Sequence, residues 1–212
     1  MSVQVGLPRD VVSKGRTVTT GIYKEPVEGP VRVAGVNLDG DRQADLTVHG
    51  GPDKAVYVYP AEHYPFWREQ LGRDLAWGAF GENLTVEGLP LEDEISIGDV
   101  LRIGSTQLAV AQPRLPCFKL GIRFGDPTMV KRFFDAGRTG YYLRIVNEGY
   151  LEAGDEIAFA ARDPARVPVA EITRLFTDDE HDVEAVLRLL TVDSLPWVWR
   201  SYFEQWVAAE PA

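Results

Sequence analysis

Up to residue 163, hydrophobic positions alternate with polar ones in short runs that glycine and proline interrupt. Alternation with a period of two, over roughly four to eight residues, predicts strands with one buried face. The pattern predicts strands at residues 3–12, 16–23, 31–36, 55–59, 83–86, 100–103, 107–111, 141–146 and 156–160. Two short helices are predicted between them, at residues 61–71 and 127–135. Many short strands with few helices predict a mainly β fold, arranged as a closed or nearly closed β-barrel.

The hydrophobic period changes near Pro164, from two residues to about 3.6, which is the period of an α-helix. Beyond it, Val169, Ile172 and Leu175 lie on one helical face, and two further helical segments follow. We therefore predict a β-barrel domain at residues 1–163 and a three-helix appendage at residues 164–212. The tryptophans of the last helix are expected to fill the core and the contact between the two parts, because large aromatic rings bury much apolar area.

Composition narrows the classes of function. The chain has 212 residues, a formal net charge of −10 and an isoelectric point of about 4.8. This balance opposes general binding of nucleic acid or anionic membrane, both of which require a basic face. A single cysteine excludes an internal disulfide, and we recognise neither a signal peptide nor a membrane-spanning stretch. We therefore expect a soluble, cytoplasmic protein.

The single cysteine lies in an unusual stretch, Gln112-Pro113-Arg114-Leu115-Pro116-Cys117-Phe118-Lys119. A predicted strand ends at Pro113, so Cys117 is expected just beyond a strand end on backbone that two prolines stiffen. Arg114 and Lys119 would favour the thiolate, which is the form that acts as nucleophile and metal ligand. A lone cysteine is also often a small buried apolar side chain. From these residues alone both interpretations stay open.

Two glycine turns are further candidates for ligand binding. In His49-Gly50-Gly51-Pro52-Asp53-Lys54, the glycines permit positive φ, so backbone amides could bind an anion beside His49 and Lys54. In Phe80-Gly81-Glu82-Asn83, the Asn83 amide offers donors and an acceptor just before a strand. Taken alone, each sequence is more typical of a plain turn. Zinc is poorly supported, because Cys117 and the three histidines show no ligand spacing.

Taken in order, these stretches resemble the MOSC domain, the family named after the C-terminal domain of molybdenum cofactor sulfurase. The matching residues are His49 to Lys54, Phe80 to Leu84, Gly98-Asp99, and Gln112-Pro113-Arg114 with Pro116, Cys117 and Lys119. The helical segments after residue 163 resemble the three-helix appendage of the YiiM-like branch, which is associated with resistance to N-hydroxylated purines.

The resemblance implies a MOSC-type β-barrel with a basic pocket for molybdopterin and a cysteine that ligates molybdenum. That catalytic and metal-binding role falls on Cys117. The residues expected to hold the pterin and its phosphate are His49, Lys54, Asn83, Arg114 and Lys119, with Arg42 and Lys14 as weaker candidates.

The implied activity is a molybdenum-dependent oxidoreductase that reduces N-hydroxylated compounds, such as N-hydroxylated purines, to amines. Because the chain shows no flavin, haem or iron–sulfur site, a separate flavoprotein or ferredoxin-type donor is expected. Two alternatives stay open: a sulfur carrier with a persulfide on Cys117, and cofactor binding without turnover. The sequence assigns no natural substrate and no oligomeric state.

Overall fold

The protein is described by a computed structural model that covers residues 1–47, 50–177 and 182–209. Its β-strands, numbered in chain order, are β1 Ser2–Val5, β2 Arg9–Ser13, β3 Arg16–Thr20, β4 Glu25–Pro26, β5 Val31–Ala34, β6 Asn37–Leu38, β7 Val56–Pro60, β8 Leu84–Val86, β9 Val100–Ile103, β10 Thr106–Pro113, β11 Tyr141–Asn147, β12 Gly149–Leu151 and β13 Ile157–Ala161. Its α-helices are α1 Tyr64–Leu71, α2 Phe118–Phe124, α3 Met129–Asp135, α4 Val169–Thr177, α5 Val183–Leu190 and α6 Trp197–Ala209. Short 3-10 turns at Pro52–Lys54 and Ala61–His63 precede β7 and α1.

The main sheet has eight strands in the order β13-β9-β10-β11-β7-β8-β1-β4. Its pairs are antiparallel except for β7 and β8, which are parallel. The sheet curls into an incompletely closed half-barrel with β13 and β4 at its edges. A three-stranded sheet, β12-β5-β6, and a separate hairpin, β2-β3, complete the strands of the described residues. The prediction of a mainly β fold is confirmed.

Strand β7 separates two hydrophobic cores, because every one of its residues is buried. Its side chains point alternately to opposite faces of the sheet. Val56 and Val58 pack into the main core, whereas Tyr57 and Tyr59 pack into an aromatic core. The aromatic core also includes the buried rings of Tyr64, Trp67, Phe80 and Phe133.

Three helices follow the last strand, and they pack on the same main core as the sheet. Ile172 of α4, Leu189 of α5 and Phe203 of α6 belong to the buried cluster that contains the sheet residues Val58 and Leu101. The backbone also joins the two parts, since the Ile97 N–H donates to Val167 and the Val169 N–H donates to Ile95, both at 2.9 Å. The division into domains at residues 163 and 164 stays a prediction.

Several elements differ from the predicted ones, including the short strands β4, β6 and β12, which were not predicted. The predicted strand at residues 3–12 is two strands, because Pro8 lacks an N–H group to donate and Gly6 packs directly on another loop. A Cβ on Gly6 would lie 2.3 Å from the carbonyl oxygen of Tyr23. Helix α2 was not predicted at all, since Gly121 in its interior and Pro116 before it weaken the helical pattern. No helix within the described ranges is long and apolar enough to cross a membrane.

Candidate functional site

A cleft at the end of β10 brings together most of the residues that the sequence singled out. Lys54, Asn83, Arg114, Cys117 and Lys119 all line it, and so does Arg42. Lys14 is not among the described residues that line it; it lies in the turn of the β2-β3 hairpin. His49 lies outside the described residues, so its assignment stays a prediction.

Cys117 is half-buried at the wall of this cleft, between the end of β10 and the start of α2. It is the residue before the first turn of α2 and has extended backbone, with φ −121° and ψ 170°. Pro113 ends the strand, and Pro116 restrains the backbone just before the cysteine. The thiol is free of any disulfide. Its position in the cleft makes it available to a ligand.

Arg114 is the most deeply buried cation of the cleft, with 6% of its surface exposed. Its guanidinium carbon lies 4.9 Å from the ring centre of Tyr57 and 5.3 Å from that of Phe133. Its Nη1 is buried, and no hydrogen-bond acceptor reaches it within the described part of the chain. Buried donors are normally paired, and a bound anion would supply the acceptor that this nitrogen lacks.

Lys54 and Lys119 add positive charge from two other elements. Lys54 ends the 3-10 turn that Gly51 precedes, and Gly51 has a φ of 97°, which a residue with a Cβ rarely adopts. Burial lowers the pKa of the Lys54 ammonium from its usual value, and the neighbouring Asp53 carboxylate opposes this shift. Lys119 lies in the first turn of α2, two residues after Cys117. The cleft is therefore basic although the whole chain is acidic.

Asn83 lines the cleft, and its side chain forms hydrogen bonds with the backbone of two neighbouring strands. Its Oδ1 accepts from the Tyr57 N–H at 3.0 Å, and its Nδ2 donates to the Gln4 carbonyl at 3.3 Å. Gly81, two residues before Asn83, has a φ of 85°, and a Cβ there would lie 2.7 Å from an Ile22 side-chain carbon. These contacts fix the cleft wall. A direct contact between Asn83 and a cofactor stays a prediction.

Sequence reasoning missed a buried ion pair that also lines the cleft. Lys24 and Asp41 contact each other with almost no side-chain exposure, and Asp41 Oδ1 also accepts from the Gly6 N–H at 2.8 Å. Burial lowers the pKa of Lys24, and the Asp41 charge opposes that shift. Both residues come from loops without a recognisable motif, so only the fold reveals the pair.

Two tyrosines of the cleft were also missed. Tyr57 of β7 and Tyr142 of β11 are directly paired across the sheet, with their ring centres 5.2 Å apart. Burial raises the pKa of both phenols, and the Arg114 guanidinium opposes the shift. Both phenols therefore stay protonated at neutral pH. Strand alternation places Tyr57 and Tyr59 on one face of β7, which was the available sequence signal.

A chain of hydrogen bonds joins the C-terminal helices to the cleft. The indole N–H of Trp199 in α6 donates to Gln112 Oε1 at 2.8 Å, and Gln112 Nε2 donates to the Asp53 carbonyl at 3.0 Å. The Asp53 side chain accepts from Arg144 Nε at 2.6 Å. Helix α6 thereby supports the turn that presents Lys54.

The side chains suit a cofactor that brings its own metal ligands. Within the described ranges, no group of three or more histidine, cysteine or carboxylate residues could hold a metal ion. Cys117 can supply one soft thiolate, as molybdenum accepts. The unpaired Arg114 Nη1, with Lys54 and Lys119 nearby in the cleft, suits the phosphate of such a cofactor. The donor set therefore fits a molybdenum–pterin group.

Comparisons with known proteins agree with the motifs. A family model described as MOSC domain matches residues 45–158, and one described as YiiM-like, 3-alpha helix domain matches residues 167–210. The Uncharacterized protein YflK of Bacillus subtilis is 42% identical over 203 residues, covering 96% of this chain and 91% of that protein. A protein named Reductase from Gibberella moniliformis is 34% identical over 165 residues, covering 76% of this chain but 29% of that longer protein.

A solved structure shows the same fold. The crystal structure of YiiM from Geobacillus stearothermophilus superposes with a TM-score of 0.81 at 32% identity, covering 97% of each chain. The resemblance inferred from the motifs is thus confirmed. The chain belongs to the MOSC domain family, in the branch that carries the YiiM-like three-helix domain.

Proposed function

We propose that this protein binds a molybdenum cofactor in its cleft and reduces N-hydroxylated compounds, such as N-hydroxylated purines, to amines. The observation that carries the proposal is the half-buried Cys117 in a basic cleft where Arg114 Nη1 finds no acceptor among the described residues. The reaction consumes two electrons and two protons, cleaves the N–O bond and releases one water. A substrate R–NHOH thereby becomes R–NH2.

The comparisons support this proposal at a coarser level. MOSC domains are associated with molybdenum cofactor binding in general, and the model of that domain covers residues 45–158. The Gibberella relative is named a reductase, and the region it shares with this chain is part of a longer protein. A reductase in which this fold is one part among others agrees with a domain that receives electrons from elsewhere.

Each residue of the cleft has a distinct part in the proposal. When bound, the cofactor supplies the two-electron redox chemistry. The Cys117 thiolate would hold its metal, and Arg114 and Lys119 would neutralise its phosphate. Lys54, at the end of the 3-10 turn before β7, would also neutralise the phosphate. His49 is expected to do so from the sequence. The phenols of Tyr57 and Tyr142 stay protonated and would not act as bases. The Tyr57 hydroxyl already donates to the Thr139 carbonyl at 2.7 Å, so Tyr142 would be the one to donate a hydrogen bond to a ligand.

We propose that the electrons come from a second protein. Cys117 is the single cysteine of the chain, so it cannot hold an iron–sulfur cluster, for which several thiolates are needed. We therefore propose a flavoprotein or a ferredoxin-type protein as donor, as the sequence analysis expected.

The test is the variant Cys117→Ser in a host that makes the cofactor. Serine is similar in size but is a harder and far less acidic ligand, so molybdenum content and single-turnover reduction of N-hydroxyadenine should both be lost. Thermal unfolding should change little, since the side chain is only half-buried. Wild-type turnover by a folded, metal-loaded serine variant would contradict the proposal.

Elemental analysis of the wild-type protein separates the two alternatives. A persulfide carrier would contain labile sulfur on Cys117 without stoichiometric molybdenum. A storage protein would contain molybdenum and pterin but would not reduce N-hydroxyadenine with a chemical reductant.

A further inference from the structure

Two arginines from distant parts of the chain flank one tyrosine beside the cleft. The guanidinium carbon of Arg9, at the start of β2, lies 3.7 Å from the ring centre of Tyr23. The guanidinium carbon of Arg123, in the last turn of α2, lies 4.7 Å from the same centre. Cation–π contacts with the half-exposed Tyr23 ring thus bring two positively charged guanidinium groups close together.

A third arginine extends this group. Arg73 and Arg123 line a second cavity together with Asp74 and Phe124. The Arg73 guanidinium carbon lies 5.5 Å from the ring centre of Phe124. We call Arg9, Arg73 and Arg123, with the rings of Tyr23 and Phe124, the arginine face.

No carboxylate of the described residues neutralises the positive charge of the arginine face. In the described part of the chain none of its arginines forms an ion pair, and Asp74, the acid beside the second cavity, bonds to neither neighbour. Arginines elsewhere in the described ranges do form ion pairs with carboxylates, as Arg32 does with Glu148 and Arg132 with Asp126. In a chain with a net charge of −10, such a local excess of positive charge favours an acidic partner.

The arginine face borders the proposed redox site. Helix α2 begins directly after Cys117 and carries Lys119 in the cleft and Arg123 in the arginine face. Six residues at the helical rise separate Cys117 from Arg123 by about 9 Å along the axis. Tyr23 follows Ile22, which lines the cleft. A protein docked here would therefore lie next to the site that receives the electrons.

We propose that the arginine face docks the acidic electron-donor protein of this reductase, an inference that rests on the proposed function. Exposed arginines among aromatic rings are typical of protein interfaces. A small-anion site fits less well, because Arg9 and Arg73 are exposed. In the part of the chain that the structure describes, none of the three arginines has a buried donor left without an acceptor. Two reduced one-electron donors would dock in turn and become oxidised for each N–O bond that is cleaved.

The experiment compares two sources of electrons in the cofactor-loaded protein. The protein donor is a plant-type ferredoxin, an acidic protein, kept reduced by its NADPH-dependent reductase. The small donor is reduced methyl viologen, which needs no docking surface. The variants are Arg9→Gln and Arg123→Gln, and the matched control is Arg102→Gln on β9, which removes an exposed charge outside the arginine face.

For each of the two single variants, Arg9→Gln and Arg123→Gln, we expect the KM for ferredoxin to rise about threefold, and about tenfold when the two are combined. The rate with methyl viologen should stay unchanged in every variant, and Arg102→Gln should behave as wild type with both donors. High salt should weaken wild-type binding of ferredoxin and have less effect on the double variant. An unchanged ferredoxin KM in the double variant, or an equal rise in Arg102→Gln, would overturn the docking proposal while the methyl viologen activity keeps the reductase proposal intact.

A binding titration tests whether ferredoxin docks on the arginine face independently of turnover. Oxidised ferredoxin is titrated into wild type, the double variant and Arg102→Gln in a calorimeter at low salt. Weaker binding confined to the double variant supports the docking surface even if no reductase activity is found. Equal binding by all three proteins overturns it.

Discussion

Replacement of Trp199 by phenylalanine tests whether the C-terminal helices support the cleft. The indole N–H is the donor to Gln112 Oε1 at 2.8 Å, in a contact where both residues are buried. Phenylalanine keeps an aromatic ring against Phe203 but leaves Gln112 Oε1 without that donor. An unsatisfied buried polar group costs about 1–3 kcal/mol, and the lost ring volume adds to this.

A double-mutant cycle isolates the hydrogen bond from the lost volume. Gln112→Met removes the acceptor at nearly constant size, and in that background Trp199→Phe no longer leaves an unpaired acceptor. We expect a coupling energy of about 1 kcal/mol between the two substitutions in urea unfolding. The single variant should also lower Tm by roughly 2–4 °C per kcal/mol lost, the value for chains of this size.

Trp197→Phe is the matched control, because Trp197 is 77% exposed and should change stability by less than about 0.5 kcal/mol. Strict additivity of Trp199→Phe and Gln112→Met would refute the reasoning. A calorimetric titration with sulfate, used as a probe for the phosphate of the cofactor, should show weaker binding in Trp199→Phe, since Gln112 also holds the Asp53 carbonyl beside Lys54.

Two further predictions concern charged groups. Because burial lowers the pKa of Lys54, its charge is lost at lower pH than for a free lysine, so sulfate affinity should fall as pH rises through the alkaline range. Calorimetric titration should show this fall in wild type and a flatter profile in Lys54→Met; identical profiles would contradict it. Glu82 is fully buried, and its Oε2 accepts from the Phe80 N–H at 3.1 Å. In Glu82→Gln, a side-chain carbonyl at the Oε1 position would place the amide NH2 group against the Phe80 N–H donor. The free energy of unfolding, measured with urea, should therefore fall by about 1–3 kcal/mol. An unchanged urea midpoint would disprove the assigned contacts.

The fold class followed from the sequence because strand alternation is a local signal. Strands such as β9, which has alternating burial, were found within a residue or so. The two-residue strands β4 and β6 are too short to produce a pattern and exist only through their partners. Helix α2 contains Gly121 and only seven residues, so its helical signal was weak. It is packing against α3 and the aromatic core that stabilises it.

The site was predictable where its residues are neighbours in the chain or belong to recognised motifs. Arg114 and Lys119 lie within three residues of Cys117, so their proximity needed no fold. The pairing of Lys24 with Asp41 joins two loops, and a buried charge pair runs against the usual exposure of such residues. Its existence therefore depends on tertiary structure alone. The arginine face likewise assembles from β2, α2 and the loop after α1.

The sheet and the last three helices share one continuous core, which limits the substitutions that either part can accept. The two family models meet at a seam around residues 159–166, yet the buried side chains on either side of that seam interlock. A helical segment taken from a relative would have to match the shape of the sheet surface and still offer a donor to Gln112. Core substitutions on one side of the seam therefore require compensating substitutions on the other. We expect the two segments to evolve as one unit, although separate family models describe them.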